Sequence, residues 1–536
     1  MYITRVYIDG FKRLTNFTLE LNEKLNVVVG DNETGKTSVL EAITLVLTRQ
    51  YDGRTIDYVI DPYLFNGTAV AEYFNKRRRG ENAHPPRIVI EAYFHDDASD
   101  AALAKLKGRN NTKNDDCPGL LLTIAVNSDY VEALSEYAAD DSNPKVLPVE
   151  FYSVTWRSFT DNGVTLRNLP FRVATIDTSL ARTYRGPNNY LAQKVSEVLS
   201  EEQRHQLSLA YKKLRHGFSQ EPNVTAINEH LRQQGNPATR KKLTIEMDVS
   251  SRSSWDNAIT PHLDDLPFDC AGKGEQCRVQ MRLAIAAAER SQVLLIEEPE
   301  NHLSHSNLNL LMNDIGNDCA DRQVILTTHS AFVLNKLGID NLKLISHGGK
   351  TAALTGLTPD TKDYFMKLPG YDTLRLLLSK RSILVEGPSD ELIVQRAYKD
   401  KHGKMPLEDG VDVISVGSLA FKRFLQIAAL LKLDVRVVTD NDEDVAALVA
   451  KYADYLNGAN STIRIFYDAD EACPTLEPQL LKANSRQTLN TILGTKHAED
   501  PALLNYMKRN KTDCALKMFE TAQAWKTPDY IANAIK

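Results

Sequence analysis

Residues 30–37, Gly30-Asp31-Asn32-Glu33-Thr34-Gly35-Lys36-Thr37, satisfy the spacing GxxxxGK[ST]. A loop of this kind wraps a polyphosphate with its backbone N–H groups; its lysine reaches the β- and γ-phosphates and its hydroxyl ligates Mg²⁺. Lys36 and Thr37 are placed for those tasks, and the eight loop residues with Ser38 are the expected contacts of ATP. The context fits, with an apolar strand over Leu25–Val29 before the loop and helical periodicity over Lys36–Leu47 after it.

A second apolar run, Val293–Ile296, ends in Glu297-Glu298-Pro299. Open α/β sheets bind ligands at the carboxyl ends of their strands, so Glu297 can hold a Mg²⁺ shell and Glu298 can polarise an attacking water. Two acids after a strand also suit a solvated helix start, but the P-loop favours the catalytic reading. Just past the next strand, in Ile325-Leu326-Thr327-Thr328-His329-Ser330, His329 can contact a γ-phosphate or serve as a hydrogen-bonded structural group. Ala271-Gly272-Lys273-Gly274-Glu275-Gln276 opens a helix whose free N–H groups suit a phosphate, as would any glycine-rich helix start.

The later part of the chain carries a different set of acids. Strand Ser382–Val385 runs into Glu386, a Gly387-Pro388 turn and Asp390 on a helix; strand Asp434–Thr439 runs into Asp440-Asn441-Asp442. Alternate residues of an extended chain face the same way, which predicts Asp440 and Asp442 on one side. Several carboxylates together suit Mg²⁺ or Mn²⁺ rather than zinc. The plainer reading is that Asp390 and Asp442–Asp444 cap helices.

Elements in the right order must hold these groups. Strands Ile3–Ile8, Phe17–Leu21, Arg87–Phe94 and Leu120–Val126 surround the P-loop helix, with a loop over Lys105–Pro118. From Asn189 the pattern turns helical, giving an inserted helical subdomain over 189–240. Helix and strand then alternate, which means a parallel sheet. The expected division is 1–188 and 241–378 for the ATPase, 189–240 for the insertion and 379–536 for a second α/β domain, joined at Pro369-Gly370 and a short helix Asp372–Leu378.

Composition bounds the reading. The chain has 536 residues, 42% apolar and 25% charged, so it is long enough for two to four domains at roughly 150 residues each. With 64 Lys+Arg against 70 Asp+Glu it is not uniformly basic, so nucleic acid would be met by a local face. Lys76-Arg77-Arg78-Arg79 and Arg87 form one basic run, read more readily as a solvated loop. No apolar stretch reaches membrane-spanning length, the N-terminus does not read as a signal peptide, and the six cysteines contain no CxxC pair. Reduced thiols and a cytoplasmic location are expected.

The first group of motifs resembles the ABC-type ATPases of the SMC-like group. That resemblance implies a signature loop at 271–276 acting on the ATP of a partner subunit, a D-loop near Pro299–Leu303 and a switch histidine at 329. The long heptad insertion of true SMC proteins is absent. The second group resembles a Toprim domain, which handles phosphodiesters with divalent metals. An ATPase followed by Toprim resembles the overcoming-lysogenization-defect (OLD) family of ATP-dependent nucleases.

The family resemblance implies an α/β fold in which an ABC-type P-loop domain with a helical insertion precedes a Rossmann-like Toprim domain. It adds Glu477 and Lys511 to Glu386, Asp390, Asp440 and Asp442, and implies DNA cleavage, homodimerisation through the helical insertion and a role in phage defence. A helicase or a retron reverse transcriptase is the kind of partner it suggests. His302-Leu303-Ser304-His305 departs from the family's His-Leu-His-Pro. The motifs also admit an ATP-gated clamp with an inert Toprim domain, or a Toprim enzyme of the primase or RNA-maturase kind.

Overall fold

The computed structural model describes residues 1–31, 34–97, 99–177, 199–234, 245–247, 255, 260–288, 291–301, 303–318, 322–346, 351–354, 356–367, 372–417, 421–456 and 462–536. The ATPase part is built on two sheets. The first is antiparallel: Ile3–Asp9 pairs with Phe17–Glu20 on one side and Ile88–Phe94 on the other, and Cys117–Val126 and Tyr152–Ser158 follow. The segment expected to be a loop therefore ends earlier, at Cys117, whose pairing extends the strand.

The second sheet has the order Val173–Asp177, Val293–Glu297, Gln323–Thr328, Leu25–Gly30, Leu342–Ile345 and Thr351–Ala353, parallel except for its last strand. Its central strands are buried on both faces, which is why they read as unbroken apolar runs rather than alternations. The P-loop helix Lys36–Thr48 fills the space between the sheets. Val39, Ile43 and Val46 pack with Ile90 and Leu122 of the antiparallel sheet and with Val28 and Leu295 of the parallel one.

A third sheet serves the later part of the chain. Val411–Ser415, Arg381–Val385, Val435–Val438 and Ile463–Phe466 lie side by side in that order, all parallel. One face joins the apolar core of the nucleotide sheet, which runs from Leu326 and Leu334 through Leu376 and Leu377 to Leu384 and Val437. The other face is covered by helices from the last sixty residues, through Leu480, Leu503, Met507 and Ile531. Helix Asp372–Leu378 does more than join the two parts. Arg375 donates to both carboxylate oxygens of Asp412 at 3.0 and 2.7 Å and to the Val413 carbonyl at 2.6 Å.

Within the expected insertion, helices Glu201–Gln220 and Pro222–Gln234 follow one another, the first started by a capping box between Ser200 and Gln203. Residues 189–198 and 235–240 lie outside the described residues. Leu207, Leu209, Leu214, Phe218 and Ile227 are exposed on these helices. The basic run is a helix end rather than a loop: it closes helix Gly67–Arg78, Lys76 pairs with Glu72, and Arg78 reaches the Asn143 carbonyl and Asp141.

Gln323 joins the two ATPase sheets. Its Oε1 accepts from the Ile3 N–H, and its Nε2 donates to the carbonyls of Ile3 and Asn22, each at 2.8 Å, in a position 1% exposed. Replacing it leaves a buried N–H and two buried carbonyls without these partners. Gln323→Leu is expected to cost about 2–4 kcal/mol of stability. Chemical denaturation measures it; a loss indistinguishable from zero would show that the clamp is dispensable.

Candidate functional site

The P-loop leaves the central strand of the parallel sheet. A Cβ on Gly30 would lie 2.5 Å from Thr34 Oγ1 and 2.7 Å from the Ile345 carbonyl, and Gly35 has φ 97°, so both positions require glycine. Lys36 Nζ donates to the carbonyls of Gly30 and Asp31 at 2.9 Å each. Burial pushes its pKa below the usual lysine range, against the opposing pull of Glu298, Asp31, Glu300 and Glu297. Asn32 and Glu33 lie outside the described residues. Ser38 is in the first turn of the helix.

The Thr37 hydroxyl donates to Glu297 Oε1, which brings the hydroxyl and the acid predicted for Mg²⁺ together from two adjoining motifs. Glu298 sits beyond the strand end with φ 40°, a conformation uncommon for a residue with a side chain and frequent at functional sites. Its carboxylate meets His329 Nε2 at 2.9 Å and the Asn301 amide at 3.0 Å. Glu300, which the resemblance places in the D-loop without a task of its own, positions that histidine: one oxygen accepts from the His329 N–H and the Thr328 hydroxyl, both at 2.7 Å. Only an unusually acidic stretch, Glu297-Glu298-Pro299-Glu300, hinted at it.

Gly272 caps helix Lys273–Ala287, with Gly274 and Glu275 in its first turn. Gln276 ties the loop down by donating to the carbonyls of Phe268 and Ala271, and Glu275 pairs with Arg278 at 3.9 Å.

The acids of the third sheet gather at its C-terminal edge. Glu386 follows one strand, and its Oε1 accepts from the Thr439 hydroxyl at 2.6 Å and the Asp440 N–H at 3.2 Å on the neighbouring strand end. Asp390 starts helix Pro388–His402 by accepting from the Gly387 N–H at 3.2 Å, so it caps a helix and also faces the acids. Glu477 is buried in helix Leu476–Ala483; it accepts from the Thr475 hydroxyl at 2.8 Å and lies 3.4 Å from Lys511 Nζ. Lys511 itself opens helix Lys511–Glu520.

One geometric expectation is corrected. Asp440 and Asp442 are not alternate residues of an extended strand, because the strand ends at Val438. Asp442 and Glu443 adopt φ 49° and 67°, which turns the chain and leaves Asp442 exposed while Asp440 is partly buried. Asp444 caps the next helix through the Ala447 N–H. Asn441, unremarked in the sequence, holds the turn: its Nδ2 donates to the carbonyls of Asp468 and Asp470 at 2.8 and 2.9 Å.

Crowding marks this edge electrostatically. Burial first, then the charges of Asp390, Glu386, Glu477 and Asp442, push the Asp440 carboxyl up to about 8. Burial and Glu386 push Asp390 up to about 7, against the hydrogen bond from Gly387. Among the described residues no three His, Cys, Asp or Glu side chains are already closed around one metal-sized point. The donor set is nevertheless the one hard divalent cations take, and its members repel one another without a cation.

Comparison with known proteins gives three domain matches. Residues 1–146 match an AAA ATPase domain; residues 259–335 match an AAA domain described as a putative AbiEii toxin of a type IV toxin–antitoxin system; residues 377–442 match the TOPRIM domain of overcoming-lysogenization-defect-like proteins. The DNA replication and repair protein RecF of Clostridium acetobutylicum is 42% identical over 43 residues, 8% of this chain and 12% of that protein. RecF of Halothermothrix orenii is 48% identical over 48 residues, 9% and 13% of the two chains. The chain thus spans about an eighth of these relatives' length. Among solved structures, an Smc head bound to the C-terminal winged helix of ScpA is 14% identical over 66% of this chain and 98% of that one, with TM-score 0.35. The RecF–ATP structure is 12% identical over 66% and 99%, with TM-score 0.34.

The raised acids make stability depend on pH. Between the ordinary carboxylate range and about 8, the folded chain keeps protons on Asp390 and Asp440 that the unfolded chain has shed. The native state then binds more protons, so stability is greatest below that window and falls as the pH rises through it. In metal-free buffer Asp440→Asn should flatten this fall and be about 1–2 kcal/mol more stable than the parent at pH 8. Denaturation at pH 5 and pH 8 tests it; identical slopes for parent and variant would mean that the acids do not crowd.

Proposed function

We propose, from an AAA ATPase domain match followed by an OLD-like TOPRIM domain match, that this chain is an ATP-hydrolysing, divalent-metal-dependent DNA endonuclease of anti-phage defence. The observation that carries the reading is the meeting of Glu386, Asp390, Asp440 and Glu477 at one sheet edge, where burial and neighbouring charge push Asp440 up to about 8 and Asp390 up to about 7. Acids with no task would not be gathered where each raises the cost of ionising the next.

Glu386, Asp390, Asp440, Asp442 and Glu477 would hold Mg²⁺ or Mn²⁺. When bound, such ions supply an activated water and a stabilised leaving oxygen. Lys511, beside Glu477, would offset charge growing on the phosphate. Thr439 keeps Glu386 in position by donating to it, and Asn441 fixes the loop that carries Asp440.

At the other edge Lys36 would give up the Gly30 and Asp31 carbonyls for phosphate oxygens, and Thr37 with Glu297 would hold the Mg²⁺ of ATP. Glu298 would orient the attacking water, with its own carboxylate oriented by His329 and Asn301. Gly272, Gly274 and Glu275 would complete the ATP site of a second copy, which requires at least a homodimer; the exposed leucines of helix Glu201–Gln220 support that assembly. No helix among the described residues is long and apolar enough to cross a membrane, and a cytoplasmic location is proposed. A helicase or a retron reverse transcriptase is the proposed kind of further partner.

Purified protein with supercoiled plasmid and Mg²⁺ or Mn²⁺, with and without ATP, tests the function. Lys36→Ala should abolish ATP turnover. Asp440→Ala should stay folded, dimeric and ATPase-active, with nicking reduced by at least about a hundredfold. Parental nicking by Asp440→Ala would dismiss this edge as the nuclease centre and favour an ATP-gated clamp.

A further inference from the structure

Beside the acids of the third sheet lies a cavity of about 340 Å³ that the chemistry described so far does not use. Its position follows from topology. Strand Ile463–Phe466 is parallel to Val435–Val438, so Tyr467 and Asp468 leave the sheet at the same edge as Asp440, one strand over and roughly 5 Å along the hydrogen-bonding direction. Helix Leu476–Ala483 serves both places: Glu477 belongs to the acids, while Gln479 and Lys482 line the cavity. Tyr530 lines the cavity and also feels the charges of Asp440, Asp390, Asp468 and Glu386.

The walls are fixed in advance. Lys482 is held by Asp468 at 3.2 Å and Asp470 at 2.9 Å, and the loop carrying those acids is bound to Asn441 of the acid-bearing turn. Asn484 pins the opposite wall, accepting from the Lys526 N–H at 2.7 Å and donating to its carbonyl at 2.9 Å. The last helix, Asp529–Ala534, is tied to the sheet by Arg436, which donates to the Ala534 carbonyl.

The lining has two chemistries. Lys526 brings an exposed positive charge, while the charge of Lys482 is already met by Asp468 and Asp470. Gln479 is 1% exposed; its Nε2 donates to the Cys473 carbonyl at 3.0 Å, and its Oε1 has no protein partner among the described residues. Asn533 and Asp529 add further hydrogen-bonding groups. A ligand matching this wall is anionic at one end and offers N–H or O–H donors at the other, and its size is at the lower end of small-ligand cavities. A single nucleotide has that pattern, with its phosphate for Lys526 and its base or sugar for the amide and carboxylates.

We propose that this cavity holds one unpaired nucleotide flanking the phosphodiester to be cut, with Lys526 on its phosphate. The proposal rests on the nuclease reading above and deepens it: the enzyme would splay one nucleotide out of the stack, and so would favour single-stranded or distorted DNA over an intact duplex.

The test compares two substrates with Mn²⁺. One is a single-stranded DNA oligonucleotide; the other is bis(p-nitrophenyl) phosphate, a phosphodiester with no flanking nucleotide. Lys526→Ala is the variant, since it removes an exposed ammonium and leaves the backbone bonds to Asn484 in place. The ratio of kcat/KM for oligonucleotide over small diester should fall by roughly tenfold, mostly through KM, and the salt dependence of KM should lose about one charge. Lys526→Arg should restore most of the ratio. An unchanged ratio, or equal losses on both substrates, overturns the subsite while leaving the nuclease standing. A parent protein that nicks supercoiled plasmid but hydrolyses neither substrate overturns the subsite alone; one that leaves the plasmid intact as well overturns the nuclease reading, and the subsite with it.

Discussion

Parallel strands all end on the same side, so whatever follows each strand is delivered to one edge of the sheet. Both candidate sites depend on that constraint. In the nucleotide sheet it brings the loop after Gly30, the acids after Ile296 and the histidine after Thr328 together from three separated stretches. In the last sheet it does the same for Glu386, Asp440 and Asp468, and helix Leu476–Ala483 then adds Glu477. The acids pay for their proximity in ionisation: burial first, and then the charges of their neighbours, push Asp440 up to about 8 and Asp390 up to about 7.

The two edges are mechanically joined. One apolar core continues from the nucleotide sheet to the last sheet, and Arg375 bolts the connecting helix to Asp412. A cavity of about 470 Å³ lies at this junction, lined by Asp31 of the P-loop and His329 on one side and by Arg375, Lys380 and Leu407 on the other.

The sequence made some parts of this arrangement readable and hid others. Buried parallel strands such as Val293–Glu297 and Val435–Val438 are unbroken apolar runs, and a P-loop has a spacing that chemistry imposes, so those elements and their strand-end acids stood out. Pairing did not. The antiparallel sheet that sandwiches the P-loop helix was visible as strands around it, without the registers that bind Ile3–Asp9 to Ile88–Phe94. Asp442 misled, because the chain turns through left-handed residues after the strand. The run of Asp and Asn, which favours such turns and helix caps, pointed to this, but the extended spacing of Asp440 and Asp442 outweighed it. Residues that act by holding others, such as Glu300, Thr439 and Asn441, have roles defined only by long-range neighbours.

The central claim is that the acids at the edge of the last sheet gather to hold divalent cations. Electron paramagnetic resonance of Mn²⁺ titrated into nucleotide-free protein at pH 8 tests it most directly. Bound Mn²⁺ is expected on the parent chain, lost or greatly weakened in Asp440→Ala and retained in Lys36→Ala. Equal Mn²⁺ binding by the parent and Asp440→Ala would contradict it.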